Sequence, residues 1–333
     1  MACRLRVQLL GSFGVWVDGQ ALPPAAWPSR KACQLLKILV TYRQRAVATD
    51  ELIEWLWPDL PPESARNSLW VAVSRLRHRL EPEADRDAAS IILTQPPGYR
   101  FDPVQGCEID VDCFLAHVQA GRSWQAQSEW AAAIDAYRAA EPFHRGDYLL
   151  DDPYEEWAIP ARERLRETFL EMQEALAACL LALGRCVETL AHARCALEHD
   201  PCRESAWRLI MEAHYRAGDP AQALQAFAHC RTILADELGM DPQPETIALH
   251  VRILQHPAPR SPPLSSPRPA TSSLHLPFVG RTISRAASTC RRLPAVTQAR
   301  PRPAIYRRSP CSNRFPLPQA RGLSLRFRIP DNP

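Results

Sequence analysis

Lysine is nearly missing from this 333-residue chain, and signals of export, membrane insertion and metal binding are missing too. Only Lys31 and Lys37 stand among 40 basic residues, which points to a GC-rich gene rather than to a physical preference for guanidinium. The eleven cysteines form no Cys-x-x-Cys pair and no zinc-type His/Cys spacing. No apolar run approaches the roughly 18 to 20 residues of a membrane-spanning helix, and no charged-then-apolar leader follows Met1. We therefore expect a reduced cytoplasmic protein without a metal site or membrane contact.

Signatures of catalysis are also lacking. The sequence has no Gly-x-x-x-x-Gly-Lys-Ser/Thr or Gly-x-Gly-x-x-Gly phosphate loop, and neither His-Glu-x-x-His nor Gly-x-Ser-x-Gly. Scattered histidines and cysteines do not make a catalytic triad by themselves. The sequence therefore predicts no enzyme and no bound cofactor.

Charge divides the chain into three blocks that its net charge of +3 conceals. Residues 1–101 carry 13 basic against 10 acidic side chains, residues 102–255 carry 13 against 26, and residues 256–333 carry 14 arginines against Asp331 alone. With 46% hydrophobic residues, this length fits at least two domains. The blocks indicate a near-neutral first domain, an acidic second domain and a basic tail.

Within the first forty residues, the spacing of apolar residues changes from the alternation typical of a strand to the three-to-four-residue period of a helix. Apolar residues alternate with polar ones at Leu5–Leu9 and again at Val15–Val17, ahead of the Asp18-Gly19 turn. This alternation predicts a small antiparallel sheet. From Ser29 onward apolar residues recur every three or four positions, which predicts a first helix with Ser29 as its cap.

Two further helices and a hairpin follow in the first block. Thr49 or Asp50 is placed to cap a short second helix, which Pro58 stops. A third helix is predicted after the two prolines at 61–62 and runs to Leu80. The segment "IILTQPPGYRF" has two short apolar strands around Pro-Pro-Gly, which predicts a hairpin.

The third helix combines an apolar stripe with a polar outer face. At 100° per residue, six apolar side chains fall on one side and are expected to be buried. They are Ala65, Leu69, Ala72, Val73, Leu76 and Leu80. Opposite them lie Asn67, Val71, Ser74 and His78, with Trp70, Arg77 and Arg66 toward one edge and Arg75 toward the other. Such side chains can read base edges and neutralise phosphates in a major groove, so these eight residues form the predicted DNA-contacting set. Outside this helix, Arg30, Lys31 and Arg100 are predicted to grip phosphates.

An arginine-rich outer face alone is most often a solvated surface, and the order of the elements is what favours DNA. The stretches "LLGSFGVWVDG", "RKACQLLKILV", "DELIEWLWPD", "SARNSLWVAVSRLRHRL" and "GYRF" follow one another in sheet, helix, short helix, helix and hairpin. This series resembles the winged helix of OmpR-type response regulators, and more closely the form found in the antibiotic-regulatory (SARP) family of bacterial activators. The resemblance implies that the third helix enters the major groove and that the hairpin is the wing.

Residues 108–255 are helical by pattern and repeat internally. Gly184 and Gly218 lie 34 positions apart, which is the tetratricopeptide period. We expect each glycine at the turn between two helices, and Ala193 and Phe227, at matching positions, packed between neighbouring helices. With "WAAAIDAYRAA" as the second helix of an earlier unit, about three units are predicted.

This acidic block also carries family motifs. "EIDVDCFL", "DYLLDDPYEEWAIPARERLRE" and "ADELGMDPQPET" resemble the bacterial transcriptional activator domain that follows the winged helix in the same family. The resemblance implies a role in self-association and in contact with the transcription machinery. For Asp151, Asp152, Glu155 and Glu156, a contact surface and a solvated acidic turn remain the two alternatives.

From His256 the composition changes to fifteen prolines and fourteen arginines in 78 residues, which predicts a disordered tail. "LPFVGR", residues 276–281, resembles the opening motif of the regulatory ATPase module in larger family members, yet no phosphate-binding loop follows it. We expect residues 282–333 to come from a reading-frame change or an early truncation. The alternative is a genuine basic tail with nonspecific affinity for nucleic acid. A phosphate-binding loop in another frame of the neighbouring DNA supports the first, and its absence leaves the second.

Together these patterns predict a mainly α protein. An α+β winged helix at 1–101 and a linker at 102–107 precede an all-α tetratricopeptide-like domain at 108–255 and a disordered basic tail at 256–333. The predicted function is sequence-specific binding of double-stranded DNA. The resemblance implies an activator that pairs as a homodimer on direct repeats near a promoter and recruits RNA polymerase. The alternatives are a helical-repeat adaptor whose winged helix binds protein, and the truncated front part of an ATP-dependent regulator.

Overall fold

The computed structural model describes residues 5–81, 90–103 and 107–255, and the predicted tail lies outside them. Strands β1 (Leu5–Gln8), β2 (Gly14–Val17) and β3 (Gln20–Ala21) form the predicted antiparallel sheet. Helix α1 (Arg30–Thr41) begins after Ser29, whose side chain accepts the Ala32 N–H at 3.0 Å. The predicted cap is therefore confirmed, because it satisfies one of the unpaired N–H groups of the first turn.

The remaining elements of the winged helix follow in the predicted order, with one added strand. They are β4 (Val47–Ala48), α2 (Thr49–Leu56), α3 (Pro62–Leu80), β5 (Ile92–Gln95) and β6 (Gly98–Phe101). The two-residue β4 is too short to show a pattern in the sequence, and it completes a sheet of order β4-β6-β5. The predicted cap of α2 is wrong, since Thr49 and Asp50 lie inside the helix. Instead, Glu51 accepts the N–H of Ala48, the residue before the helix, at 3.0 Å.

Strand β7 (Cys107–Ile109) joins the first sheet, where the sequence predicted the end of a linker and the start of a second domain. It pairs in parallel with β1, with Leu5 opposite Cys107 and Val7 opposite Ile109. Three residues are too few to reveal a strand by alternation, and the partner strand is about a hundred positions away. This pairing ties the start of the second predicted domain to the first.

The second part of the chain consists of helices that pack consecutively along it. They are α4 (Asp110–Ala126), α5 (Trp130–Ala140), α6 (Ile159–Ala182), α7 (Cys186–His199), α8 (Glu204–Arg216), α9 (Pro220–Leu238) and α10 (Pro244–Gln255). The pairs α4/α5, α6/α7 and α8/α9 confirm the three predicted repeat units. α10 then packs against α8 and α9.

The 34-residue repeat has the predicted local basis. Gly184 and Gly218 stand between the helices of their pairs with φ of 73° and 81°, a left-handed conformation that favours glycine. Ala193 is fully buried. Phe227, at the matching position, is half-buried and stacks on His250 of α10 with ring centroids 3.9 Å apart.

The hydrophobic core does not stop at the predicted domain boundary. One continuous group of buried side chains runs from the first sheet through α1, α2 and α3 into α4, α5 and α6, and it reaches α7 and α8. A smaller group, which includes Ala193, Ile210, Met211 and Ile253, lies among the last helices. The winged helix and the first repeat units therefore share buried apolar surface, which couples their stability.

Candidate nucleic-acid interface

Helix α3 is seated by the apolar stripe that the sequence predicted. All six stripe residues are buried, none more than 5% exposed. Asn67, Ser74 and His78 are exposed on the outer face, and Val71 is half-buried. Trp70 is 66% exposed, which is unusual for so large an aromatic side chain. The helix therefore presents polar groups and one indole outward from a fixed base.

A groove of about 420 Å³ runs between the start of α1 and the outer face of α3. Its lining includes Lys31 from α1 and Asn67, Val71 and Arg75 from α3. Trp57, which follows α2, forms part of the wall. The structure thus brings four of the predicted site residues together, with two cations beside an amide that is able to donate and to accept.

Arg77 is placed differently from the prediction that it reads bases. Its Nε and Nη2 donate to the carbonyl oxygen of Ile92 at 2.9 and 2.6 Å, and Nη2 also donates to Thr94 Oγ1 at 2.9 Å. Ile92 and Thr94 belong to β5, the first strand of the wing. Arg77 therefore ties the wing to α3, and these bonds compete with any base contact.

The other predicted cations lie around α3 at different positions. Arg66 is exposed and makes a loose ion pair with Asp50 at 3.7 Å, a geometry that contributes little to stability. Arg100, on β6, is half-buried and lies 3.7 Å from Asp102. Arg30 is exposed at the start of α1, where it lines a different depression, together with Phe13 and Trp27.

A glycine fixes the base of the wing. A Cβ on Gly98 would lie 2.0 Å from the carbonyl oxygen of Val47 on β4, closer than atoms can approach. This close approach allows β6 to pair with β4 and aligns the wing with the start of α2. The orientation of the wing therefore depends on the hydrogen bonds of Arg77 and on the absence of a side chain at Gly98.

An acidic clasp, which we define as Asp151, Asp152 and Glu155, joins the second domain to the winged helix. Asp152 accepts from Lys37 Nζ at 2.5 Å, and Glu155 accepts from Gln34 Nε2 at 2.6 Å, both on α1. Asp151 accepts the N–H of Phe13 at 3.1 Å, in the turn between β1 and β2. Lys37 is only 7% exposed, so this pair is shielded from water and from salt. Glu156 is exposed.

Further contacts run beside the clasp. Tyr148 shares a hydrogen bond of 2.7 Å with Thr41, and burial raises the pKa of Tyr148 to about 12. Asp110 accepts the N–H groups of Leu9 and Leu10 at 2.8 Å each. Burial raises the pKa of Asp110, and these N–H donors oppose that effect. The clasp therefore belongs to a broad polar seam around the shared core.

Sequence reasoning missed the roles of Trp57, Gln34 and Lys37. Trp57 stands next to a helix-stopping proline, and nothing in the local pattern distinguishes it from an ordinary helix-end residue. Gln34 and Lys37 are three positions apart, a spacing that places two polar side chains on one face of a mostly apolar helix. That spacing could have predicted a contact with another element, since polar side chains on a buried helix face need hydrogen-bond partners.

Two family models match the two parts of the chain. Residues 26–101 match the family described as transcriptional regulatory protein, C terminal, and residues 109–254 match the bacterial transcriptional activator domain. These two domains, in this order, are those of the SARP-type bacterial transcriptional regulators that the chain resembles. The order of the two matches agrees with the motifs quoted from the sequence.

Similar proteins are regulators from Mycobacterium and Streptomyces species. The transcriptional regulatory protein EmbR of Mycobacterium tuberculosis is 34% identical over 253 residues, which are 76% of this chain and 64% of EmbR. The regulatory protein DnrI of Streptomyces peucetius is 28% identical over 255 residues, 75% of this chain and 92% of DnrI. The chain thus spans somewhat less than two thirds of the length of EmbR.

A solved structure shares this fold. Mycobacterium tuberculosis EmbR, in complex with a low affinity phosphopeptide, matches with a TM-score of 0.69 at 32% identity. The match covers 77% of this chain and 66% of that one. Across residues 5–81, 90–103 and 107–255, no helix is both long and apolar enough to cross a membrane.

Proposed function

We propose that this chain is a SARP-type, sequence-specific regulator that binds double-stranded DNA and activates transcription. The observation that carries the proposal is the outer face of α3, with exposed Asn67, Trp70, Ser74 and His78 on a helix whose other side is fully buried. A helix seated in this way fits a major groove, where amide, hydroxyl and imidazole groups meet base edges.

We assign different DNA contacts to the cations around α3 and to the residues on its outer face. Lys31 and Arg75 line the groove beside Asn67, and Arg30 and Arg66 are exposed near the ends of α1 and α3. We assign phosphate contacts to these cations and to Arg100, because long cationic side chains at the rim reach a backbone that flanks the groove. Base reading falls to the outer face, including Val71, whose methyl groups suit the methyl of thymine.

We assign protein contacts to the acidic second domain. The block from 102 to 255 carries 26 acidic against 13 basic residues, which makes it a poor partner for DNA. A groove of about 720 Å³ between α6, α8 and α10 offers a floor with Ala175, Leu209 and Leu249. We propose RNA polymerase as one partner and a second copy, bound on an adjacent direct repeat, as another. Cytoplasmic residence and the absence of catalysis belong to the same proposal.

We propose that the winged helix occupies 1–101 and the activator domain 108–255, joined by 102–107, with the shared strand at the junction. The match to DnrI supports this arrangement, since the 255-residue alignment with this chain covers 92% of that regulator. The proposed arrangement does not include the predicted tail, residues 256–333.

Selection of binding sites from random DNA by the purified chain tests the proposal. Asn67→Ala should then lose about 1 to 3 kcal/mol of affinity for the selected site and relax the preference at one base pair. Arg75→Ala should weaken all sequences and reduce the slope of log K against log salt by about one. Arg231→Ala, the same charge change at an exposed position of α9, serves as the control and should change neither.

The adaptor alternative predicts a different outcome. The groove in the repeat domain favours a protein ligand, and a winged helix that also binds protein would give no selected DNA sequence. Weak binding without sequence preference, unchanged by Asn67→Ala and Ser74→Ala, would support the adaptor and contradict base reading.

A further inference from the structure

Four residues on the outer face of α3 follow one line along the helix. Asn67, Val71, Ser74 and His78 are spaced by four, three and four positions, so at 100° per residue they point within about 60° of one another. We call these four residues the outer line. A rise of about 1.5 Å per residue places Val71 about 6 Å along the axis from Asn67. Because the opposite side of α3 is buried, the outer line meets a partner in a fixed order and spacing.

The first two residues of the outer line face the same groove with different chemistry. Asn67 is exposed, and its side-chain amide both donates and accepts. Across residues 5–81, 90–103 and 107–255, no hydrogen bond engages that amide, whereas the guanidinium of Arg77 is bonded to the wing. Val71 is half-buried and lines the groove together with Ala72 and Trp57, so its methyl groups belong to an apolar part of the wall. The groove thus offers an amide and, one helical turn later, an apolar surface.

These two chemistries match the two bases of an A·T pair as they appear in the major groove. Adenine presents an acceptor at N7 and a donor at its N6 amino group, and one amide binds both with two hydrogen bonds. Guanine presents two acceptors there, so its O6 would oppose the amide oxygen. Thymine presents its C5 methyl group, which packs against an apolar side chain. The amide of Asn67 therefore favours adenine, and Val71 favours thymine.

We propose that Asn67 binds an adenine and that Val71 contacts the methyl group of a thymine about two base pairs away. The spacing follows from the axial separation of about 6 Å, because B-DNA rises about 3.4 Å per base pair. This inference rests on the proposed DNA binding and names the bases that α3 reads. Ser74 and His78 carry groups that both donate and accept, so neither selects one base. The strongest base preferences should therefore come from the first turn of the outer line.

Changes of single chemical groups in the DNA test this inference with the full chain. The probe is the site that the parent chain selects from random DNA, with one adenine at a time replaced by 7-deazaadenine or one thymine by uracil. 7-Deazaadenine lacks the N7 acceptor, and one such replacement should weaken binding about tenfold. Uracil lacks the C5 methyl group, and one replacement two base pairs away should weaken binding about fourfold, as expected for the loss of one buried methyl group.

Protein variants connect each of these effects to its residue. In Asn67→Ala the 7-deazaadenine effect should disappear and the uracil effect should remain, because only the amide is lost. In Val71→Ala the uracil effect should disappear and the 7-deazaadenine effect should remain. Ser74→Ala, at the next position of the outer line, is the matched control and should retain both effects. Each effect is a ratio of affinities measured with one protein, so a change in the folded fraction cancels.

The contrary outcomes separate this inference from the proposed function. A selected site in which no adenine and thymine stand about two base pairs apart would overturn the base assignment while DNA binding stands. Effects that persist unchanged in Asn67→Ala and Val71→Ala would do the same. Failure of the parent chain to select any site would overturn the base assignment and the proposed function together.

Discussion

At the scale of single residues, Trp70 and Arg77 share one flank of α3 and have different surroundings. Arg77 is bonded to the wing strand β5, whereas the indole of Trp70 is 66% exposed. The sequence placed both in the DNA-contacting set by the same argument from helical position. The packing of β5 beside the helix is what engages Arg77 and leaves Trp70 exposed.

Replacement of Arg77 should affect stability before it affects base preference. Arg77→Ala removes three hydrogen bonds from a charged donor, and we expect a loss of about 1 to 3 kcal/mol in the free energy of unfolding. Affinity should fall for all DNA sequences alike, because the wing loses its anchor. Denaturant titration and repeated site selection measure the two effects, with exposed Arg75→Ala as the stability control. An altered base preference with unchanged stability would restore the original prediction of a base contact.

Replacement of Trp70 should show the opposite pattern. Trp70→Ala removes little buried area, so the free energy of unfolding should change by no more than about 0.5 kcal/mol. The affinity for the selected site should fall by about 1 to 3 kcal/mol if the indole contacts a base or a sugar. Val187→Ala, 82% exposed in the second domain, is the matched apolar control for DNA binding. Unchanged affinity in Trp70→Ala would remove this residue from the interface.

At the scale of elements, α1 connects the groove between α1 and α3 to the second domain. Lys31 at its start lines the groove, while Gln34, Lys37 and Thr41 contact the acidic clasp or Tyr148 beside it. The helix packs against α3 as well. The single helix α1 therefore couples the position of α3 to that of the repeat domain.

The Lys37–Asp152 pair should show strong coupling in a double-mutant cycle. Lys37→Met or Asp152→Asn alone leaves the other partner poorly hydrated, and each should cost about 1 to 3 kcal/mol. The double variant should lose less than the sum of the two, because no unpaired charge remains. Urea unfolding of the four proteins gives the coupling energy. The exposed Arg45–Glu51 pair is the control and should couple by less than about 1 kcal/mol, whereas equal coupling in both pairs would contradict the shielded clasp.

At the scale of the whole molecule, the predicted domain boundary near residue 101 separates two sequence patterns but does not separate two hydrophobic cores. β7 completes the first sheet, Asp110 accepts N–H groups from the loop after β1, and the core continues into α4 and α6. A fragment that ends at residue 101 would expose these apolar and polar groups to water. The pattern-based boundary marks a change of secondary structure rather than an independent folding unit.

The fragment 1–101 should therefore be less stable than the full chain and should not reproduce its function. We expect its thermal midpoint to be lower by at least about 10 °C, since a loss of even two kcal/mol shifts a small domain by that much. Binding to adjacent half-sites should lose cooperativity, and activation should be lost with the acidic domain. Circular dichroism melting and half-site titrations measure these effects. A fragment with the full chain's midpoint, cooperativity and activation would remove both roles of the second domain.

The sequence alone determined what depends on local spacing. The six-residue stripe of α3, the cap at Ser29 and the 34-residue repeat with its two turn glycines follow from periodicity and from the conformations that single residues allow. The tertiary structure decided what depends on distant partners. β7 pairs with β1 across a hundred residues, Arg77 turns to β5, and the acidic turn binds α1 rather than water. In each of these three contacts a polar group leaves water and is stabilised by a hydrogen-bond partner that is distant in the sequence. No local pattern of residues identifies that partner.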